Sequence, residues 1–131
     1  MSLRNLHNNK SGQILTSVIV FMAFGLSVIA LSAVLIIINI QSTAKNAQSA
    51  QALNYAEAGA EEGVLRLIRD PAYSGGTLLI DTVSVPITVT GDAVSKIVTA
   101  TATYNGFTKK IQAQVSLANN KLTLISWKQV L

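Results

Sequence analysis

The hydrophobic pattern of the chain has two regimes, one helical and one alternating. Residues 14–40 are a single apolar run, and no charge occurs between Lys10 and Lys45. As a helix rising ~1.5 Å per residue, such a run is roughly 40 Å long and exceeds the ~30 Å hydrocarbon core of a bilayer. It is also longer than the ~7–15-residue apolar region of a secretory signal peptide, so it reads as a membrane anchor. Residues 41–69 then continue without proline and are rich in Ala, Gln, Glu, Leu and Arg, mostly good helix formers. Leu53, Ala56, Ala60, Val64, Leu67 and Ile68 recur at helical spacing and form an apolar stripe. Glu62 stands four residues before Arg66, the favourable order for a helical ion pair. Asp70-Pro71 ends the run, because the residue before proline is pushed out of helical geometry. The expectation is one helix of about 55 residues, apolar in its first half and amphipathic in its second. Gly59 and Gly63 each weaken it by up to ~1 kcal/mol relative to alanine. They mark either a close approach of another backbone or a simple loss of helicity.

After Tyr73-Ser74-Gly75-Gly76, read as a loop, the period becomes two. Val83, Val85, Ile87 and Val89 alternate with polar residues and Pro86. Val94, Val98, Ala100, Ala102 and Tyr104 share the next face, and Phe107, Ile111, Ala113, Val115 and Leu117 the one after. Asn105-Gly106 is a strong hairpin signal and pairs Tyr104 with Phe107, Ala100 with Ile111 and Val98 with Ala113. A two-residue loop at Gly91-Asp92 would pair Val89 with Val94 and Val85 with Val98. A one-residue slip would turn each strand over, so the agreement of apolar faces predicts an antiparallel meander. Pro86 predicts an edge strand. Residues 122–130 read as a fourth strand with indistinct faces, and Trp127 is left on either. The predicted class is α+β: a long N-terminal helix packed on a meander of three to four strands, joining one apolar stripe to one apolar sheet face. Leu53, Ala56, Ala60, Val64 and Leu67 of the helix are expected to meet Val98, Ala100, Ile111, Ala113 and Val115 of the sheet.

Charge orients the anchor. Arg4, His7 and Lys10 precede the span and only Lys45 closely follows it, so the N-terminus is expected inside and the remainder outside. Of the formal net charge of +4, Arg4 and Lys10 supply two. Lys96, Lys109, Lys110, Lys121 and Lys128 are scattered, with too few aromatics for a base-stacking platform, so no nucleic acid is expected to bind this chain alone. The chain contains no cysteine, leaving packing, neighbours or assembly to stabilise a small exported domain.

Catalytic chemistry is sparse. The one histidine, His7, lies in the head, so a Ser-His-Asp, Cys-His or zinc site in the exported part is excluded. Glu57, Glu61 and Glu62 read as a solvated helix face, and Asp81 and Asp92 as residues near strand ends. Gly75-Gly76 lacks phosphate-loop spacing. No enzyme, cofactor or metal site is expected.

Lys10-Ser11-Gly12 before Gln13-Ile14-Leu15 resembles a prepilin peptidase site, and the order of basic head, long helix and antiparallel sheet resembles type IV pilins and pseudopilins. The stretch Asn54-Tyr55-Ala56-Glu57-Ala58-Gly59-Ala60-Glu61-Glu62 looks most like the N-terminal region of PilX-type minor pilins. Tyr104-Asn105-Gly106-Phe107 and Ser126-Trp127-Lys128 resemble the same group more loosely. The resemblance implies a leader over residues 1–12 cut between Gly12 and Gln13, a span and filament-core helix over 13–40, an amphipathic half over 41–70 and a sheet region over 71–131. It implies assembly through Ile14, Leu15, Ser17, Ala23, Gly25, Ser27, Ala30 and Ala33; small residues of this kind let helices pack closely. It further implies prepilin peptidase, an inner-membrane assembly platform and other pilin subunits as partners, with the lipid bilayer holding the subunit before assembly.

Two positions depart from the family. Ser17 stands where most pilins carry a glutamate that pairs with a neighbour's N-terminal amine, and Gln13 replaces the usual aromatic or methionine. Both point to a minor rather than a major subunit. The same features fit a pseudopilin of a secretion system. A signal-anchored extracytoplasmic binding domain that never polymerises is the rival class, although it gives no reason for the span to run directly into a second long helix.

Overall fold

A computed structural model describes residues 10–130. One helix, α1 (Lys10–Arg69), is followed by five strands: β1 (Gly75–Ile80), β2 (Val83–Gly91), β3 (Ser95–Tyr104), β4 (Phe107–Ala118) and β5 (Lys121–Val130). The chain divides into two compact units, Met1–Ser42 and Thr43–Leu131. The fold is α+β, with a long N-terminal helix packed on an antiparallel sheet in the order β1-β2-β3-β4-β5.

In the first unit, the described residues form one regular apolar helical segment near the N-terminus, long enough to cross a membrane. Its large side chains lie on the surface, Phe21 at 80% exposure among them. Arg4 and His7 of the head lie outside the described residues.

In the second unit, Ala52, Ala56, Gly59, Ala60, Gly63 and Leu67 form the buried face of the helix. Opposite them the sheet buries Val83, Val85, Ile87, Val98, Ala100, Ala102, Ile111, Ala113 and Val115. Ring contact adds to this seam, with Tyr55 and Tyr104 centroids 5.6 Å apart and tilted by 59°. The helix ends at Arg69. Asp70 N–H donates to the Arg66 carbonyl, and the Asp70 carboxylate accepts from Ala72 N–H, fixing the turn into Pro71. Lys96 of β3 donates to the Pro71 carbonyl and ties that turn to the sheet. Glu62 and Arg66 form the helical ion pair at 2.8 Å, and this hydrogen bond holds the Arg66 guanidinium above its ordinary pKa.

The β3–β4 hairpin pairs Tyr104 with Phe107, Ala100 with Ile111 and Val98 with Ala113. Asn105 and Gly106 both have positive φ, 47° and 82°, as a type I′ turn requires. Beside it, the hydroxyls of Thr103 and Thr108 face each other across the ladder at 2.9 Å.

Several expectations are corrected. The sheet has five strands rather than three or four, because residues 75–80, partly read as loop, form β1 and pair with β2. Pro86 therefore lies on an inner strand. It is tolerated there because the ladder to β3 runs only from Ile87 to Gly91, so β2 is locally an edge on that side. The β2–β3 loop is longer than two residues: Val89 pairs with Val98 and Gly91 with Lys96, a shift of four positions from the expected register. Val94 falls in this loop and is 60% exposed, while its carbonyl accepts from Leu117 N–H. Ile68 is likewise exposed. At about 100° per residue it falls roughly 130° from the centre of the buried stripe.

Trp127 lies on the inner face of the sheet. A bulge between Gln114 and Val115 of the β4–β5 ladder leaves Ile125 without an opposite residue, so Val115 faces Leu124 while Ala113 faces Trp127. The extra residue changes the parity of β5 midway, which places Leu122, Leu124 and Trp127 on one face although their spacing is not uniform.

Candidate functional site

The residues that the resemblance would assign to processing and assembly all belong to α1. Gly12 and Gln13 lie within the helix, which begins at Lys10, and both are exposed. The hydroxyl of Thr16 donates to the Gly12 carbonyl at 2.8 Å, and that of Ser17 donates to the Gln13 carbonyl at 3.0 Å. Farther along, Ser27 and Ser32 bond back to the carbonyls of Ala23 and Val28, both at 2.8 Å. Each hydroxyl is thereby satisfied within the helix, so these four positions present little unmet polarity to an apolar surrounding. Ile14, Leu15, Ser17, Ala23, Ser27, Ala30 and Ala33 are exposed and Gly25 half-buried. A side chain at Gly12 or Gly25 would meet nothing within 4 Å, so packing inside the chain does not dictate glycine at either position.

Of the helix–sheet residues, Ala56, Ala60, Leu67, Val98, Ala100, Ile111, Ala113 and Val115 are buried, and Leu53 and Val64 pack half-buried against the same core. Sequence reasoning omitted Ala52 and gave Gly59 and Gly63 no place in the packing list. The available signal was the repetition of glycine and alanine at helical spacing through 52, 56, 59, 60 and 63. The glycines admit the side chains of the sheet rather than a backbone. A Cβ on Gly59 would lie 2.5 Å from Val85 Cγ1 and 3.0 Å from Ala100 Cβ.

Toward β5 the cover is thinner. Glu61, Val64, Leu65, Leu124 and Trp127 line an open apolar depression of about 260 Å³. Among the described residues, no three His, Cys, Asp or Glu side chains are grouped to hold a metal ion. Comparison with family models, with curated proteins and with solved structures gives no match.

Proposed function

We propose that this chain is a structural subunit, of the minor kind, in a type IV pilus-like filament. The observation that carries this reading is that one helix, α1, supplies both a lipid-length apolar segment and the amphipathic segment that packs on an antiparallel meander. An ordinary membrane anchor needs only the first part. A filament subunit uses the second to hold its folded domain on the helix that assembles.

On this reading the precursor sits in the bacterial inner membrane with its N-terminus inside. Prepilin peptidase cuts between Gly12 and Gln13, and assembly machinery transfers the helix from lipid into a filament core of other pilin subunits. The exposed surface of residues 14–40 supports this route, because an alkyl surface leaves lipid without penalty only for an equally apolar destination. Ser17 supports the minor assignment: its hydroxyl carries no charge for a neighbour's amine and is already bonded to the Gln13 carbonyl. The chain acts without catalysis and without binding nucleic acid by itself.

Intact-mass analysis of the protein from its native host tests the reading. Assembled protein should lack residues 1–12 and begin at Gln13, with methylation of the new amine. An uncut head on assembled, surface-exposed protein would remove the pilin reading.

A further inference from the structure

The helix covers the sheet unevenly. Val85, Val98 and Ala113 on the inner face of β2, β3 and β4 are wholly buried, whereas beside β5 Leu65 and Leu124 are half exposed, at 50% and 51%. With Glu61, Val64 and Trp127 they line the open apolar depression of about 260 Å³. Exposed apolar patches of this kind mark interaction surfaces. β5 is also one end of the sheet and β1 the other, so each has a side of its backbone without a ladder partner. We propose that two copies of this chain in one membrane join their sheets, β1 of the second copy adding in parallel to β5 of the first and closing the depression. This goes beyond the filament reading and rests only on residues 14–40 crossing the bilayer.

Direction selects β1 of a second copy. Neighbouring strands are antiparallel throughout, so β1 and β5 run the same way. The helix runs against β3, with Tyr55 beside Tyr104 and Gly63 beside Val98. Pairing β5 with another β5 in the antiparallel sense would invert one folded unit and set its Thr43 at the far end of a helical segment ~40 Å long. The three residues from Ile40 to Thr43 reach only ~10 Å, so an inverted unit cannot be joined to a span in the same membrane. A parallel β5–β5 pair keeps both units upright but turns one over, which sets Ser126 and Lys128 of one copy on the apolar side of the other. Pairing β5 with β1 keeps both units upright and both apolar faces on one side.

The side chains of the two edges agree with this. On β1, Leu78 and Ile80 share the inner face with their partners Val85 and Val83. Setting Ile80 of the second copy beside Trp127 brings Leu78 beside Leu124, because Ile125 in the bulge takes up the one-position difference in spacing. Both alkyl side chains then extend the inner face over the depression. The next position on each strand brings Asp81 of the second copy to Lys128, and among the described residues neither has an ion-pair partner within its own chain. An edge lysine resists pairing with another β5 and admits a strand that carries a carboxylate. The contact is head-to-tail: the first copy keeps a free β1 and the second a free β5, so further copies can add in a row.

Thiol cross-linking of the full-length chain in isolated membranes tests the proposal. The chain has no cysteine, so an introduced thiol is unique. Leu79 and Ser126 lie on the outer face, opposite Ser84 and Gln114, and come side by side in this register. Leu79→Cys and Ser126→Cys chains with different tags, co-expressed and then oxidised, should yield a mixed disulfide dimer that neither variant yields alone. A chain carrying both cysteines should give a ladder of multimers rather than an internal bridge, since β1 and β5 of one sheet stand roughly 19 Å apart, beyond disulfide reach. Asp81→Asn, which keeps the shape and tolerates the positive φ of that position, should lower the yield of mixed dimer about two- to fivefold. An unchanged yield would overturn the pairing of Asp81 with Lys128. Ser126→Cys dimers as abundant as mixed ones, or no mixed dimer from a chain that resists carbonate extraction, overturn the inference while the membrane span stands. A chain released by carbonate removes the span and the inference together. The mass of the mature N-terminus, which tests the pilin reading, is independent of all these results.

Discussion

Val98 occupies the space that a side chain at Gly63 would need: a Cβ built there lies 2.6 Å from Val98 Cγ1 and 2.9 Å from Ile87 Cγ2. Gly63→Ala should therefore destabilise the folded unit despite alanine's better helix propensity. Overpacking costs about 1–3 kcal/mol and propensity returns up to about 1, so a net loss of roughly 1–2 kcal/mol is expected. Thermal unfolding of a soluble fragment beginning at Thr43 measures this, and an unchanged midpoint would mean that the sheet relaxes away from the helix at no cost.

Gly106 presents the opposite case. A Cβ there meets nothing within 4 Å, yet φ is 82°. Gly106→Val should cost roughly 1–2 kcal/mol through backbone strain alone. Restoring space around the turn should not rescue it, whereas Gly106→Asn, which tolerates positive φ, should recover part of the loss in the same melting experiment.

The bulge in β5 makes a sharper prediction. Removing Ile125 lets Ser126 follow Leu124 directly, so that Leu124, Ser126 and Trp127 face Val115, Gln114 and Ala113 in a regular ladder. The deletion should leave stability within about 1 kcal/mol of the parent, because both inner-face pairs survive. Trp127 is the chain's single tryptophan, so its fluorescence reports its surroundings without interference. A strong red shift after the deletion would contradict the pairing described for β5.

Ser17→Glu tests the minor-subunit assignment. In a minor subunit the added carboxylate has no assigned partner in the apolar segment, costing about 2.5–3.5 kcal/mol at mid-bilayer and less near the interface. Incorporation into filaments should fall, and quantitative mass spectrometry of purified filaments should find the parent at low stoichiometry. A parent that forms the bulk of the filament, or a glutamate variant that assembles better, would make it a major subunit.

The helix and the central hairpin were legible because each has a strong local signature: apolar length, helical spacing, a terminal Asp-Pro, and Asn-Gly between alternating strands. β1 was hidden for physical reasons. Leu78, Leu79 and Ile80 are consecutive and apolar, so no alternation marks the strand, and its start coincides with the glycines read as a loop. Its identity comes from the partner, through pairs such as Leu78 with Val85 and Ile80 with Val83. The two faces of β5 were blurred by the bulge at Ile125, which no single-strand pattern reveals. Gly59 and Gly63 register in sequence as weak helix positions, and their role depends on the nearness of Val85 and Val98 across the core. The proposed processing segment, Lys10 to Leu15, rests on its motif alone. The bonds from Thr16 and Ser17 follow from helical geometry and could have been anticipated from their four-residue spacing to Gly12 and Gln13.

The β2–β3 register differs from the simplest two-residue loop by four positions, an even number, and every inner residue of the ladder stays inner. The registers of this hairpin that keep the core are therefore spaced by two. A slip of the ladder by two residues keeps every inner side chain inner, whereas a slip by one must be matched by an unpaired residue, as Ile125 is in β5. Insertions confined to the β2–β3 tip leave the pairs from Ile87 to Gly91 untouched and can be of any length.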